Sequence, residues 1–402
     1  MTIIEIFDNE MFNNIISSLM IKNDRVVYIT DESKDISKHI ADFQHLFEMR
    51  SENIEINVIK VRYDSFQSVY ETLENALLKL MDIDDEIIFN VNGGKDILLI
   101  CIGMLKMKYQ FKLFYIDKDC NKICFENQKD INNCVICDDV KLSVRENIIL
   151  NGGDIVDYIN ESNEMFHWNF TKGFVDDINT MWLIYQRNIE IWNREIGFMQ
   201  QFYDKETSKL YGKANSIMDT LVDYKILKKE DDKVYSFKNR QIREFLMKVG
   251  NLLELFVCTS ASVIRDDNGI KFFDDVRVGV NIDWDGIYHD VKDEIKDTKN
   301  EIDVMLMKNN IPVFISCKSG DLNTEELYKL NTVAERFGGS RAKKVLLISD
   351  FSKKGASRSY FLQRAIDMDI YVETDVHNYS KETMMDFLVD IFNKKVDFYE
   401  EK

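Results

Sequence analysis

The sequence predicts an α/β protein with an N-terminal doubly wound sheet, a helical and winged-helix-like middle segment, and a second α/β domain at the C-terminal end. Three observations predict this class. Short apolar strands alternate with helices over the first hundred residues, a glycine turn joins a strand to a helix near residue 93, and two strands near residue 300 show the period-two pattern of a hairpin. A chain of 402 residues can form two or three domains.

The N-terminal region begins with three apolar strands separated by helical patterns. They are predicted at Ile3–Phe7, Arg25–Ile29 and Ile54–Ile59. Strands that alternate with helices form parallel sheets, whose ligands bind beyond the carboxyl ends of the strands. The loop Asp8–Asn14 follows the first strand, so we expect it to contribute to a ligand site.

The fourth strand ends in a turn that contains two glycines. Gly93 and Gly94 follow an apolar strand and precede a helix. Glycines let backbone amides approach a phosphate or a ribose, and the first helical turn supplies free N–H donors. Such a turn alone is more often simple turn chemistry. The two loops together predict a ligand site formed by Asp8, Asn9, Asn14, Asn90, Asn92, Gly93, Gly94 and Lys95.

The middle of the chain combines helices with a small mixed unit. Large apolar residues recur at helical spacing between Asp157 and Glu195, which favours packing in a core or a dimer interface. A helix at Tyr211–Leu221 is followed by two strands within Leu227–Phe237, an order that resembles a winged helix.

The C-terminal region contains the strongest chemical signal. Asp303 lies within an alternating apolar strand, Asn309-Asn310 break the pattern, and the next strand ends at Lys318. A metal-dependent phosphodiesterase needs such an arrangement, in which Asp303 would hold a divalent cation. Lys318 would lie beside the attacking water and offset charge on the phosphorus. The alternative is an ordinary cross-strand ion pair.

A helix predicted from Gly250 adds a second carboxylate. Glu254 lies among apolar residues, where an unpartnered charge is costly. It would be a further metal ligand, with the Cys317 carbonyl and the Ser316 hydroxyl as weaker oxygen ligands suited to Mg²⁺ or Mn²⁺. Glu301 ranks below Glu254 because it lies at the frayed start of the strand, where the direction of its side chain is not fixed.

A basic segment follows this candidate site. Between Arg336 and Arg364, eight Lys and Arg residues stand against the single acid Asp350, in a chain whose formal net charge is −18. This local inversion of sign predicts a phosphate-facing surface, and the alternative is a solvated basic helix face.

Two stretches resemble known families. Asn90-Val91-Asn92-Gly93-Gly94-Lys95-Asp96 resembles the Asn-x-Thr-Gly-Gly-Thr-Lys motif of the CARF domain, the Rossmann-like sensor of CRISPR-associated proteins. Glu254, the Asp303 strand and Ser316-Cys317-Lys318 resemble the restriction-endonuclease-like PD-(D/E)XK core. Ser316 stands where that family has Glu or Asp. By this resemblance the catalytic residues are Glu254, Asp303, Ser316 and Lys318, and the metal ligands are Glu254, Asp303 and Cys317.

A CARF-like domain followed by a PD-(D/E)XK-like domain is similar to the Card/Can group of CRISPR ancillary nucleases. The resemblance implies a sensor at residues 1–145, a helical and winged-helix-like linker at 146–245, and a nuclease at 246–402. It also implies a homodimer that binds one cyclic oligoadenylate, more often cyclic tetra-adenylate than cyclic hexa-adenylate. The dimer would then cleave DNA or RNA with Mg²⁺ or Mn²⁺ in type III CRISPR defence.

Two other functions stay open at this point. The first is a ligand-responsive, DNA-binding regulator whose nuclease-like domain is inactive, which the serine at position 316 favours. The second is a constitutive restriction-type endonuclease that needs no activator. The N-terminus lacks a signal-peptide pattern, and no apolar run approaches the length of a membrane span, so we expect a cytoplasmic protein without a membrane partner.

Overall fold

The computed structural model describes residues 1–117, 122–126, 135–136, 140–159, 168–247, 252–287, 289, 299–320, 323–351 and 355–393. The chain divides into two compact units. The first contains Met1–Asp154, Trp284–Ile287 and Phe337–Ser340, and the second contains Ile155–Asp283, Tyr288–Arg336 and Arg341–Lys402. Both units combine helices with a sheet, which confirms the predicted α/β class. Gly250, the predicted start of the Glu254 helix, lies outside the described residues.

The first unit alternates strands with helices, as predicted. Its elements are β1 (Thr2–Ile6), α1 (Ile16–Met20), β2 (Arg25–Asp31), α2 (Ser37–Met49), β3 (Glu55–Val61), α3 (Phe66–Met81), β4 (Ile87–Asn90), α4 (Asp96–Lys108), β5 (Lys112–Asp117), β6 (Lys122–Phe125), β7 (Val135–Ile136) and α5 (Val144–Leu150).

The sheet of this unit is doubly wound. Its strand order is β3-β2-β1-β4-β5-β6-β7, and the first five strands are parallel. Every residue of β1 and β4 is buried, as expected for strands with both faces covered by helices. The order of the strands reverses between β1 and β4, and at such a point the loops that follow the two strands diverge and leave a crevice for a ligand. These loops are Asp8–Asn14 and Asn90–Lys95.

A buried carboxylate lies within β1. Glu5 is completely inaccessible to solvent and accepts hydrogen bonds from the Ser17 hydroxyl and, at 2.6 Å, from the Asn90 amide. Burial raises the pKa of Glu5 to about 8, against the effect of the two hydrogen bonds. At neutral pH the side chain is therefore mostly protonated.

The second unit begins with helices and a small sheet and continues into a larger mixed sheet. Its elements are β8 (Asp154–Ile155), at the division between the units, α6 (Val156–Ile159), α7 (Lys172–Arg187), α8 (Ile189–Gln200), β9 (Tyr203–Asp204), β10 (Lys209–Tyr211), α9 (Ser216–Asp223), β11 (Leu227–Asp231), β12 (Val234–Phe237), α10 (Arg240–Leu246), α11 (Leu252–Val263), β13 (Asp275–Asp283), β14 (Lys299–Lys308), β15 (Ile311–Lys318), α12 (Glu325–Gly338), β16 (Lys343–Ile348), α13 (Gly355–Asp367), β17 (Ile370–Glu373) and α14 (Lys381–Asn393).

The tryptophan-rich helices pack into the core of the second unit. Trp182 of α7 stacks on Phe256 of α11 with ring centroids 4.2 Å apart, and its indole N–H donates to the Tyr379 carbonyl. Helices α7 and α8 therefore share one hydrophobic core with α11 and the larger sheet.

The two predicted strands of the winged-helix-like segment are present as β11 and β12. The predicted helix is present as α9 but begins at Ser216. Tyr211, predicted at its start, lies in β10, which pairs with β12.

The predicted hairpin is present as β14 and β15. The strands are antiparallel, with Val304 opposite Ile315 and Lys308 opposite Ile311. Asn309 and Asn310 both have positive φ angles, 49° and 61°. A two-residue hairpin turn of this hand requires positive φ at both positions, and asparagine tolerates it better than most residues. The turn thereby sets the register that brings Asp303 opposite the end of β15.

In the part of the chain that the structure describes, no helix combines the length and the hydrophobicity that a bilayer-crossing helix requires.

The raised pKa of Glu5 makes a stability prediction. Because the folded-state pKa is about 8 and the ordinary value is 4.5, this group stabilises the fold fully below about pH 4.5, and the contribution is lost as the pH rises to 8. We expect Glu5→Gln to reduce the loss of unfolding free energy between pH 5 and pH 8.5 by a few kcal/mol, because a tenfold change in a protonation equilibrium corresponds to about 1.4 kcal/mol. Urea denaturation at several pH values measures this, with the exposed Glu52→Gln as control. Parallel pH profiles for Glu5→Gln and the wild type would contradict the prediction.

Candidate active site and ligand cavity

The hairpin positions one carboxylate among several donors. Asp303 on β14 is 9% exposed, and its Oδ2 accepts hydrogen bonds from the Ser316 hydroxyl at 3.1 Å, the Cys317 backbone N–H at 2.6 Å and the Lys318 ammonium at 3.1 Å. All three donors belong to β15. Three donors to one oxygen fix the orientation of this carboxylate. In the described residues no hydrogen bond to Oδ1 is formed, so this oxygen is available to a ligand.

Helix α11 brings a second carboxylate to the same place. Glu254 lies in its first turn, is 9% exposed, and has an Oε2 atom that is buried without a hydrogen-bond partner among the described residues. Burial is the main cause that raises its pKa to about 8, and the carboxylates of Asp303 and Glu301 raise it further, while Lys318 acts in the opposite direction. A buried acid with an unsatisfied oxygen is costly in the absence of a cation.

Lys318 is the cation of this cluster. Burial on its own would lower the pKa of Lys318, but the charge of Asp303 and the hydrogen bond to it, followed by the charge of Glu326, keep this pKa above the ordinary value. The Glu326 carboxylate of α12 lies 3.8 Å from the Lys318 ammonium. Lys318 is therefore protonated at neutral pH. The sequence analysis did not identify Glu326, whose helix is separated from the hairpin by residues that carry no motif.

The donor set fits a hard divalent cation. Glu254 and Asp303 offer oxygen atoms, which Mg²⁺ and Mn²⁺ prefer, and the unpartnered Oε2 of Glu254 is the observation that calls for a positive charge. Ser316 donates to Asp303, which suits a residue that positions this carboxylate. The Cys317 thiol is buried, and burial raises its pKa well above the ordinary value, so the thiol stays protonated. A role for the Cys317 carbonyl stays a prediction.

A second group of possible metal ligands lies at the end of β16 and β17. One oxygen each from Asp350 and Asp375 and one ring nitrogen of His377 lie within 4.8 Å of one another, and within the described ranges it is the one group of three such side chains this close. The His377 ring also contacts the Ser349 carbonyl. Sequence analysis missed this group, although residues just beyond two neighbouring parallel strands were a signal for it.

The ligand site predicted in the first unit coincides with a cavity of about 210 Å³. Five of the eight predicted residues line it: Asp8, Asn9, Gly93, Gly94 and Lys95. Gly94 has a φ of +82°, and a Cβ atom there would lie 2.9 Å from Ile6 Cγ2. Only glycine therefore fits this turn without displacing its neighbours.

The other three predicted residues support the loops from beneath. Asn14 is 1% exposed and exchanges hydrogen bonds with the backbone N–H and carbonyl of Asp8 at 2.8 and 2.9 Å. Asn90 is 2% exposed and accepts from the Asn92 N–H at 2.9 Å, and the Asn92 amide donates to the Ile116 carbonyl at 2.9 Å. These contacts fit residues that hold the cavity in shape.

Sequence analysis missed the charged wall of this cavity. The Lys95 ammonium lies 2.8 Å from Asp31 Oδ2 and 3.8 Å from the centroid of the Tyr63 ring. Hydrogen bonds from Lys95 and Ser33 hold the pKa of Asp31 well below its usual range. Lys34 and Asp8 also line the cavity, so two cations and two carboxylates face any ligand that enters. Asp31 and Tyr63 come from β2 and the loop after β3, which only the folded sheet brings together.

The predicted basic surface is divided in the structure. Lys343 and Lys344 lie at the start of β16, opposite Val313 and Phe314, whereas Lys318 lies opposite Ile348 at the far end of the same strand pair. Five residues of strand separate the two ends by roughly 16 Å. The Lys343 ammonium lies 5.5 Å from the Phe392 ring centroid. Strand direction, which charge counting ignores, therefore places these two lysines away from the Asp303 cluster.

Comparison with known proteins identifies the region that carries this cluster. Residues 241–371 match the family model described as the endonuclease domain of Card1-like proteins. This region of the chain is thus similar to the endonuclease domain of Card1-like proteins. The matched span includes Glu254, Asp303, Ser316, Cys317 and Lys318, so the resemblance drawn from these residues is confirmed for this domain. A search among curated protein sequences gave no match.

Solved structures share the fold of nearly the whole chain. Protein VC1899 from Vibrio cholerae superposes with a TM-score of 0.73 at 17% identity, over 97% of this chain and 98% of that one. Can2 from Sulfobacillus thermosulfidooxidans, in complex with cyclic tetra-adenylate, gives 0.65 at 17% identity, over 98% and 99% of the two chains. A type III CRISPR defence DNA nuclease activated by cyclic oligoadenylate gives 0.51 at 11% identity, over 89% of this chain and 46% of that one.

The raised pKa of Glu254 leads to a prediction about cation binding. Glu254 must lose its proton before it can hold a cation, so we expect the affinity for Mn²⁺ to rise from pH 6.5 to pH 8.5, by up to tenfold for each pH unit below the pKa of about 8. Glu254→Gln should weaken binding and flatten the pH dependence. Titration calorimetry measures both quantities. Asp375→Asn is the control, and the prediction is wrong if that variant loses binding while Glu254→Gln keeps it.

Proposed function

We propose that this protein is a nuclease that hydrolyses phosphodiester bonds with a divalent cation and is activated by a cyclic oligoadenylate. The observation that carries the proposal is the cluster of Glu254, Asp303 and Lys318 within the Card1-like endonuclease domain. Two buried carboxylates with one lysine suit phosphodiester hydrolysis, in which negative charge builds up on the phosphorus centre. We retain the three-part division at residues 145 and 245 as part of this proposal.

The residues have distinct roles in the proposed reaction. Glu254 and Asp303 would hold Mg²⁺ or Mn²⁺, which supplies Lewis-acid activation of the phosphate and lowers the pKa of a water. Lys318, held by Asp303 at 3.1 Å, places a positive charge beside the reacting phosphate and offsets the charge that develops there. Ser316 and the Cys317 N–H keep the Asp303 carboxylate oriented.

The activator would bind in the first unit. The fold shared with Can2, whose structure holds cyclic tetra-adenylate, supports this ligand. A cyclic oligoadenylate is a polyanion with several adenosines, which suits a cavity with Lys34 and Lys95 on its wall and a glycine turn that exposes backbone amides. In the proposed cycle two chains bind one ring, cyclic tetra-adenylate in preference to cyclic hexa-adenylate, and the ligand favours the cleavage-competent state.

The experiment that tests this function measures cleavage with and without activator. Supercoiled plasmid and single-stranded DNA and RNA are incubated with Mn²⁺ or Mg²⁺, alone or with cyclic tetra-adenylate or cyclic hexa-adenylate. Cleavage that requires one cyclic ligand supports the proposal. Cleavage without ligand would indicate a constitutive endonuclease, and ligand binding without cleavage would indicate a regulator.

Separate variants should abolish chemistry and keep ligand binding. We expect Asp303→Ala and Lys318→Ala to reduce the cleavage rate at least a hundredfold, because each removes a charge that acts on the reacting phosphate. Binding of labelled cyclic tetra-adenylate should be unchanged, as measured by fluorescence anisotropy. If both variants also lose the ligand, the proposed division of labour is wrong.

A variant in the proposed ligand cavity should impair activation and leave the cleavage reaction intact. Lys95→Ala removes a cation from the cavity wall, and a lost charge-assisted contact to phosphate is worth about 1.5–3 kcal/mol, roughly ten- to a hundredfold in affinity. We expect cleavage to need a correspondingly higher activator concentration, with the rate at saturation preserved. Lys79→Ala, on the exposed side of α3, is the matched control. Equal activation curves for Lys95→Ala and the wild type would contradict the proposed ligand site.

A further inference from the structure

A cavity of about 300 Å³ adjoins the candidate active site in the second unit. Its lining includes Glu254 and Lys318 together with Trp182, Tyr185 and Trp192, whose side chains we call the aromatic wall. We propose that this cavity receives one unstacked base of the nucleic acid substrate, next to the phosphodiester bond that is cleaved. The inference rests on the proposed nuclease function and adds a subsite that binds one base.

The size of the cavity suits one base. A volume of about 300 Å³ is at the lower end of the range for small-molecule sites. One heterocyclic ring system fits such a volume. Nucleotides on which other enzymes act at a single base are similarly removed from the stack and held in a fitted pocket.

The chemistry of the wall suits a base as well. Aromatic side chains are the usual partners of unstacked bases, because every base has a π face. Tyr185 and Trp192 meet edge to face, with centroids 6.0 Å apart and planes at 86°. The Tyr185 hydroxyl is fixed by the Ser349 hydroxyl at 2.6 Å. The aromatic wall is thus held in one arrangement before any substrate enters.

A polar group at the rim can read the edge of the base. Asn193 on α8 lines the cavity, is exposed, and its amide makes no hydrogen bond to the described residues. An amide offers both donors and an acceptor, which is the combination found on the edges of bases. We therefore assign Asn193 as a specificity-determining residue. It does not belong to the cation cluster, so its replacement leaves Glu254, Asp303 and Lys318 in place.

The position of the cavity determines which nucleic acids can be cut. The same space contacts Glu254 and Lys318, so a phosphate beside the cation cluster has its neighbouring base at the mouth of the cavity. A base within a duplex is paired and stacked and reaches the cavity only after flipping, which costs a few kcal/mol. Within a duplex, the base next to the cut must therefore leave the stack before the bond is cleaved.

The experiment uses the full-length protein with Mn²⁺ and cyclic tetra-adenylate. The cut sites in a single-stranded oligonucleotide are mapped, and an abasic residue is then placed at each position around one cut. We expect one position next to the cut at which the abasic residue lowers the rate at least tenfold, and a duplex of the same sequence should be cut at least tenfold more slowly. Equal rates for all abasic strands, or for duplex and single strand, would overturn the proposal.

The variant arm tests Asn193 without disturbing the aromatic core. Asn193→Ala should change which base is preferred at the position found in the abasic scan, while the affinity for the activator stays unchanged. Glu190→Gln, also exposed on α8, is the matched control. An unaltered base preference in Asn193→Ala would overturn the assignment of this residue. Failure of the wild-type protein to cut any substrate would instead refute the proposed function, and this inference with it.

Discussion

The carboxylates of Glu254 and Asp303 are each about nine-tenths buried, and their mutual repulsion contributes to the raised pKa of Glu254. Lys318 is the lysine that offsets their negative charge. Its ammonium lies 3.1 Å from Asp303 and 3.8 Å from Glu326. Burying two ionised acids against one base is unfavourable, so Glu254 keeps its proton to a higher pH unless a further cation enters. The hairpin register, the first turn of α11 and the three donors to Asp303 hold the two acids in this arrangement. The arrangement supports the proposed binding of a divalent cation.

The first unit also contains a buried acid with a raised pKa, but hydrogen-bond donors rather than other carboxylates lie next to it. Its buried carboxylate, Glu5, is neutralised by a proton, and it accepts from Asn90, which in turn holds the backbone of the glycine loop. The wall of the ligand cavity is charged: the Lys95 ammonium is paired with Asp31 and lies over the Tyr63 ring. Such an exposed ion pair is worth little, so a phosphate can replace Asp31 as the partner of Lys95 at low cost. The rigid part of this site is therefore its backbone, and the adaptable part is its charged wall.

Local patterns explain what the sequence could predict. The hairpin followed from alternation and from Asn309-Asn310, because period and turn chemistry are properties of adjacent residues. The glycine loop and the strand that carries Asp303 were recognisable for the same reason. Asp31, Tyr63, Glu326 and Asn193 carried no comparable signal, since each reaches its cavity or cluster from a different element. Of the basic segment, Lys343 and Lys344 lie at the opposite end of their strand pair from Lys318, and Lys353 and Lys354 lie outside the described residues.

The two candidate cation sites of the second unit can be separated by one measurement. Crystals grown with Mn²⁺ and measured near the manganese absorption edge show the position of the ion directly. The present account predicts an anomalous peak within coordination distance of Glu254 Oε2 and Asp303 Oδ1. A peak at Asp350, Asp375 and His377, with none beside Glu254, would contradict it, because the buried carboxylate pair would then have no cation to bind.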